Sequence, residues 1–438
     1  MKKFGRLNWT ILIIFGLIGQ IAWSVENMYF NVFVFDTIAK DLDTITLMVQ
    51  ASGVTATLVT LVAGTLSDKI GNRNKFISIG YIIWGVTVAL FGMLSPELVG
   101  SLFNLEVTKA IALCLALVVI SDCVMTLFGS TANDAAFNAW VTDNTEKEYR
   151  GSVEGVLAIL PLIAMLIVAG GFGILVEMMG YSTLFLVLGI VISLSGIIGV
   201  FVIKDNPKLE KSGTFKDIIY GFKGSVIKSN KPFYLTLLII GIYGIACQIF
   251  MPYLIIYMKE YLGFSVIEYS VVFGGAIIFS ALINLYLTKL SDSKDKTMML
   301  YLAGAIFAIG LLCMYLFKFE NHIATLILFG VGGFIMISGN ILISSLSGAI
   351  VRDYTPKGCA GKLQGVRMVF SVLLPMLIGP LIGNAINKAM NIPLPDLGSA
   401  DTMTTSYIPA PEIFLVGAIF SLVIFVIIPI LRKSVKEN

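Results

Sequence analysis

Apolar runs of about 20 residues recur from one end of this 438-residue chain to the other. Each is long enough to cross the ~30 Å hydrocarbon core of a bilayer. Lipid offers no partner to a backbone N–H or C=O, so a spanning run must close its own hydrogen bonds as a helix or join a closed barrel. A barrel shows short segments of alternating polarity. These runs are continuous and rich in glycine, which predicts helices. Only 13% of residues are charged and 57% are hydrophobic, about half the charged fraction of a soluble domain.

The expected spans are 9–35, 44–66, 76–94, 110–141, 152–176, 182–203, 233–258, 269–288, 298–317, 323–350, 363–386 and 412–431. Those near Glu26, Asp122 and Asn340 exceed ~20 residues and are expected to tilt or to emerge from the lipid. The opening Lys2, Lys3 and Arg6 before an apolar stretch imitate a signal peptide. No small-residue cleavage site follows, so the stretch is read as a retained first span.

Basic residues orient the chain. With the N-terminus inside, 25 of the 30 Lys and Arg fall in inner segments, and only Lys40, Lys109, Lys259, Lys318 and Lys388 fall outside. The positive-inside rule then places both termini in the cytoplasm, in the cell membrane. One miscounted span would reverse everything downstream and spoil the split, which supports an even number of spans. The charge of +3 follows this topology and predicts no nucleic-acid partner.

The longest inner segment, 204–232, carries seven lysines and reads as a linker between an N-terminal bundle (1–203) and a C-terminal bundle (233–438). The outer segment 387–411 holds Pro393, Pro395, Pro409 and Pro411 and reads as irregular.

The halves repeat each other. After the fourth span comes Asp143-Asn144-Thr145, then Gly151 and Gly155; after the tenth comes Asp353-Tyr354-Thr355, then Gly361 and Gly365. Leu66-Ser67-Asp68 after the second span matches Leu290-Ser291-Asp292 after the eighth. Such duplication marks transporters built from two repeats with a site near the midplane.

The loop Gly64-Thr65-Leu66-Ser67-Asp68-Lys69-Ile70-Gly71-Asn72-Arg73-Asn74-Lys75 resembles the signature loop of the major facilitator superfamily. Glycine suits its tight turn and close helix approach, and the basic pair holds the loop on the cytoplasmic side. The resemblance implies a twelve-helix fold of two pseudo-symmetric six-helix bundles and alternating access. It also implies that the loop latches the outward-facing state, with Gly64, Asp68, Gly71, Arg73, Asp143, Arg150, Asp292 and Asp353 as gating residues. The copy after the eighth span keeps Asp292 and Lys296 without the glycines.

Within that superfamily, Asn133-Asp134, Asp143-Asn144-Thr145 and Arg150-Gly151 are similar to the sucrose-transporter-like and glycoside–pentoside–hexuronide cation symporters. So are Thr355-Pro356, Gly361 to Gly365, and Gly379-Pro380 with Gly383.

An ionisable side chain inside lipid costs a few kcal/mol (~2.5–3.5 on insertion scales) and is a functional candidate for that reason. Glu26, Asp122 and Asp134 are the candidates for proton coupling; the alternative for each is a polar contact between helices. Twelve residues separate the two aspartates, about 120° and ~18 Å along a straight helix. Asp122, Thr126, Gly129 and Asn133 then share one stripe, and Ser130, Asp134 and Asn138 the next, nearer the cytoplasm.

Polar side chains beside aromatic rings suit a sugar, whose hydroxyls need amide partners and whose C–H face stacks on a ring. Trp23, Asn27, Asn31, Asn133, Asn138, Gln248, Tyr253 and Asn340 are the candidates for substrate contact. Helix–helix adhesion is the competing role of any one asparagine. Gln50, Gly53, Thr57, Thr60 and Gly64 in the second span read as packing. That span holds no acidic residue, where the melibiose-type sodium symporters use aspartates, so protons are expected over sodium.

Nothing points to an enzyme, a cofactor or a metal. There is no Gly-rich phosphate loop with Lys-Ser/Thr, one histidine (His322), and five cysteines without a C-x-x-C pair. The expectation is a monomeric, lipid-embedded symporter of a small molecule. A proton-driven exporter of amphipathic compounds is the alternative; its proline–glycine signature in the fifth span is not clearly formed by Pro161 and Gly170, Gly171 and Gly173.

Overall fold

A computed structural model describes residues 5–145, 149–206, 219–292, 295–356, 360–394 and 407–437. Lys208, Lys211, Lys216, Cys359, Pro395 and the side chains of Arg150, Gly151, Leu290, Ser291, Asp292 and Gly361 lie outside the described residues. Eleven of the described helices are long and apolar enough to cross a membrane. They are α1 (Arg6–Ile38), α2 (Leu42–Ile70), α3 (Arg73–Phe91), α4 (Val107–Asn144), a single 48-residue stretch Gly155–Val202, α7 (Lys231–Tyr261), α8 (Val266–Asp292), α9 (Lys296–Leu316), α10 (His322–Asp353), α11 (360–390) and α12 (Glu412–Lys436).

The 48-residue stretch resolves the difference from twelve. It would run ~72 Å as one helix, more than twice the hydrocarbon thickness. It breaks at Gly180, whose φ of 76° and ψ of 162° no helix contains and glycine alone adopts readily. It is therefore two crossings, α5 (150–179) and α6 (181–202), and the fold is the all-α, twelve-span membrane architecture.

Helix ends follow local chemistry. Asp41 accepts from the Asp43 N–H at the start of α2, and Asn72 from the Lys75 N–H at the start of α3. Asn321 accepts from the Ala324 N–H before α10. These caps satisfy donors that the first helical turn leaves without partners. Gly71 closes α2 in the left-handed region, which makes the turn into α3 two residues long.

The chain divides into two compact units, Met1–Phe215 and Lys216–Asn438. Within the first, Phe30 stacks on Phe91 at 4.1 Å and meets Phe185 edge-on at 4.9 Å. Large apolar side chains also face outward, such as Phe201, Met178 and Phe279. On a soluble protein so much exposed apolar surface would be an association site; here it meets acyl chains. Residues 387–411 are not wholly irregular: Ile392–Pro393 pairs antiparallel with Tyr407–Ile408. Asn387 accepts from the Ala410 N–H at 2.9 Å and so ties this outer segment to the end of α11.

Several helices depart from α geometry. π-helical turns occur at Val168–Phe172 in α5, Tyr257–Tyr261 in α7 and Val369–Leu373 in α11, and two further helices that carry them matter for the site. α1 turns π-helical at Glu26–Phe30 and again at Val34–Ile38, and α4 does so at Ser130–Phe137. Such bulges inside α-helices are frequent at functional sites. They also correct a sequence expectation: the angle of about 120° between Asp122 and Asp134 assumed 3.6 residues per turn, and the widened turn lies between them.

Candidate functional site

Glu26 of α1 is buried where α1, α2 and α4 meet. Ser52 of α2 donates to its Oε1 at 3.0 Å, and Thr126 of α4 donates to the same oxygen at 3.1 Å. The two hydroxyls lie 3.1 Å from each other, so three oxygens from three helices close a triangle. The other carboxyl oxygen, Oε2, has no hydrogen-bond partner. Glu26 is 6% exposed and Thr126 fully buried.

Asp122 lies one turn before Thr126 on the same face of α4. It is 2% exposed, and its Oδ1 is also without a partner. Thr126, one turn on from Asp122, is the α4 residue bonded to Glu26, which brings the two carboxyl groups into one neighbourhood. Among the described residues, no Lys, Arg or His forms an ion pair with Glu26, Asp122 or Asp134. Two carboxyl groups thus share one dry pocket with hydroxyls alone.

From this pocket α1 and α4 run side by side in antiparallel register. Gly129 stands against the Trp23 and Trp84 rings; a Cβ there would fall 2.8 Å from Trp84 and 3.0 Å from Trp23. A Cβ on Gly19 would fall 1.6 Å from Asn133 Nδ2, so only glycine lets that amide pass. Asn133 donates to the Tyr81 hydroxyl at 3.1 Å, and Tyr81 donates to the Phe15 carbonyl at 2.8 Å. The stripe Asp122, Thr126, Gly129, Asn133 therefore faces α1.

On the adjoining stripe, Ser130 donates to Asp134 Oδ2 at 3.0 Å. The Trp23 indole N–H faces Asp134 without closing a hydrogen bond. Trp23 stacks against Trp84, with ring centroids 5.0 Å apart.

The remaining candidates divide by environment. Asn27 is exposed and donates to the Trp23 carbonyl. Asn31 is buried and donates to the Asn27 carbonyl, and its Oδ1 has no partner. Asn138 is exposed and donates to the Asp134 carbonyl.

In the second unit Gln248 is half-buried, and a Cβ on Gly379 would fall 2.4 Å from its Cβ. Asn340 accepts from Tyr243, whose hydroxyl also lies 3.0 Å from Ser344. Tyr253 is fully buried and donates to the Pro380 carbonyl at 3.0 Å, which braces α7 against α11.

Sequence reasoning missed Ser52, Tyr243 and Asp205. Ser52 sits beside the seam that was read as packing, yet a hydroxyl inside an apolar span needs a partner on another helix, and that was its signal.

The signature loop forms a second cluster at the basic end of the first unit. Arg73 is only 4% exposed. It donates to Asp143 at 2.9 Å, to Ser67 at 2.6 Å, and to Asp68. Asp205, just past α6, accepts from the backbone N–H groups of Arg73 and Asn74 at 3.1 and 3.0 Å. Gly64 offers its carbonyl to Ser67, and no side chain crowds it. In the second unit Asp353 pairs with Lys296 at 2.7 Å.

The family model described as Major Facilitator Superfamily matches residues 12–380 and, in a second match, 237–437. Among solved structures, the chain is similar to the nucleoside transporter NupG. The TM-score is 0.66 at 12% identity, covering 98% of this chain and 100% of that one. It is also similar to a bacterial homolog of the human lysosomal transporter Spinster, in an inward-facing and unoccupied conformation. There the TM-score is 0.68 at 13% identity, covering 98% of each chain. At such identities the likeness is one of fold. No curated protein matches the sequence.

Proposed function

Since the chain belongs to the Major Facilitator Superfamily and is an integral membrane transporter, we propose that it couples protons to the symport of a sugar or glycoside by alternating access. It is placed by the same reading in the branch of the sucrose-transporter-like and glycoside–pentoside–hexuronide symporters, in the cell membrane with both termini cytoplasmic.

The observation that carries the proton reading is the triangle at Glu26. Ser52 and Thr126 bring one hydroxyl hydrogen each. With Glu26 ionised, two hydrogens serve three oxygen–oxygen contacts. A proton on the carboxyl supplies the third. A buried carboxylate without a cation is expensive, and such a group neutralises rather than staying charged; a second carboxylate alongside adds repulsion. Loading the pocket with a proton and emptying it again therefore changes its hydrogen bonding, which is what a coupling site requires. Substrate affinity and proton affinity are then linked reciprocally. The exposed amide of Asn27, one turn from Trp23, supports a sugar-like ligand, with an amide beside an aromatic face.

Vesicles with an imposed proton gradient and a panel of labelled sugars, glycosides and nucleosides test this reading. The parent protein should accumulate one class. Glu26→Gln and Asp122→Asn, tested separately, should lose gradient-driven accumulation while exchange across the membrane continues. If both variants accumulate as well as the parent, neither carboxyl couples. Accumulation driven by sodium alone would replace the ion, and gradient-driven expulsion would place the chain with exporters. Cysteines introduced into 204–232 should react with an impermeant label only after permeabilisation; reaction from outside intact cells would reverse the topology.

A further inference from the structure

We propose that Asp134 and Trp23 form the inner station of a proton path, in which the Glu26–Asp122 pocket exchanges its proton with the basic end of α4 through Asp134, and the Trp23 ring meters that step. This rests on the proton reading above. Among the polar side chains spaced at helical turns along one face of α4, exposure rises in a single direction. Asp122 and Thr126 are sealed, Asp134 is half-buried, and Asn138 and Thr142 on the following turns are exposed. Polar side chains exposed in succession mark a wet route rather than a lipid-facing one. Both carry their own local bonds, Asn138 to the Asp134 carbonyl and Thr142 to the Asn138 carbonyl, so their outer faces are left to water.

Glu26 accepts from Thr126 of α4, and Trp23, one turn away on α1, packs on Gly129, so this part of α1 lies along the segment of α4 between Asp122 and Asp134. The straight-helix separation of the aspartates is therefore bridged from α1. In between stands Trp23, one turn before Glu26 on α1. It is wedged against Gly129 and Trp84, and its N–H is turned to Asp134 and unpartnered.

The step balances simply. The proton leaves the Glu26 carboxyl and joins an Asp134 oxygen, leaving Glu26 ionised and Asp134 neutral; Asp134 then releases it to water at the basic end. Ser130 holds Oδ2 of Asp134 throughout, which leaves the other oxygen to take the proton.

The titratable and charged groups around Asp134 are few. On α1 the nearest is Glu26, one turn past Trp23, and on α3 it is Tyr81, to which the adjacent Asn133 donates. α2 carries no titratable side chain between Asp43 and Asp68. On α4 itself, Asp122 and Cys123 lie toward the pocket, and Asp143 lies at the basic end, paired with Arg73.

Infrared difference spectroscopy of the purified protein, mixed into deuterated buffer, reads the path without a substrate. The parent should show protonated carboxylic acid bands, and the band lost in Glu26→Gln identifies the pocket. Its deuteration should slow about tenfold in Asp134→Asn, a barrier increase of ~1.4 kcal/mol. It should accelerate in Trp23→Ala and fall between the two in Trp23→Phe. A purely structural Asp134 would lower the melting temperature and leave the deuteration rate alone. A deuteration rate in Asp134→Asn equal to the parent's overturns the relay while the Glu26 band stands. If the parent shows no acid band at all, the proton reading itself fails, and the relay with it.

Discussion

At the start of α3, Arg73 is buried and holds three side-chain acceptors; at the start of α9, Lys296 has a side chain 39% exposed and holds one. Each is the first residue of the third span of its unit, and each reaches the aspartate at the end of the following span, Asp143 or Asp353. A second tie also repeats, with its charges exchanged. In the first unit, the acid after α6 (Asp205) caps the start of α3. In the second, the start of α9 supplies its own acid, Asp295, which accepts from the Thr297 N–H at 2.9 Å, and α12 offers Arg432 to it at 3.4 Å. The link to the aspartate of the following span has thus been built once with a planar five-donor fork and once with a point charge. A guanidinium can satisfy several acceptors in fixed directions, whereas an ammonium is a compact, strongly hydrated charge that water readily serves instead. The first bracket should therefore be the stiffer and the second the easier to separate.

The largest effect should come from breaking the stiffer bracket. Arg73→Met leaves Asp68, Asp143 and Ser67 without their donor. Severing a fully buried pair costs roughly 3–5 kcal/mol. Asp143 and Asp68 are 21% and 41% exposed, so water recovers part of that, and about 2–3 kcal/mol is expected after screening. Arg73→Lys keeps the charge and loses the fork. It should cost about 1.5–3 kcal/mol, the value of one charge-assisted hydrogen bond, at the low end of that range. Thermal melting in detergent reads both. If Arg73→Lys melts like the parent, the fork is irrelevant and the contrast between the two units collapses.

Asp205 comes next. Its carboxylate satisfies two N–H groups that the first turn of α3 leaves open, and it places negative charge at a helix N-terminus. Asp205→Ala should cost about 0.5–2 kcal/mol, as for other lost helix caps. Asp205→Asn keeps an acceptor and should lose only the charge contribution, about 0.3–1 kcal/mol. Amide hydrogen exchange at Arg73 and Asn74 should accelerate in the alanine variant; unchanged protection would show that the cap is dispensable.

These partners explain what could be read from the sequence and what could not. Hydropathy is a property of each segment alone, so the spans emerged to within a few residues. The division of Gly155–Val202 emerged too: the expected spans end at 176 and resume at 182, and the break falls between them at Gly180, a single glycine at positive φ that does the work a loop does elsewhere. Glu26, Asp122 and Asp134 stood out because a charge in an apolar run needs no context to be conspicuous. Ser52 and Asp205 did not stand out, because a lone hydroxyl or a loop aspartate acquires meaning only from the helix it meets. Arg73 was legible as part of a motif, but its burial was not: burial depends on Ser67, Asp143 and Asp205 arriving together from three parts of the chain. The π-helical turns in α1 and α4 carry no periodic signature, and a stripe drawn at 3.6 residues per turn cannot anticipate them.

The smallest effect should fall on the exposed pair, and it is the sharpest test of the comparison. Lys296 and Asp353 meet at 2.7 Å with side chains 39% and 54% exposed. Exposed pairs gain little in high dielectric, lose side-chain entropy and are screened by salt. Lys296→Met, Asp353→Asn and the double variant together form a cycle that isolates the pair from each residue's other contacts. The coupling energy should be below about 1 kcal/mol, and it should shrink further when ionic strength rises from ~0.1 to ~1 M, where the Debye length falls to ~3 Å. The corresponding cycle on Arg73 and Asp143 should give a larger coupling that changes little with salt, because the guanidinium is out of water's reach. Equal couplings, or equal salt sensitivity, would mean that burial does not distinguish the two brackets and that the second unit is held as firmly as the first.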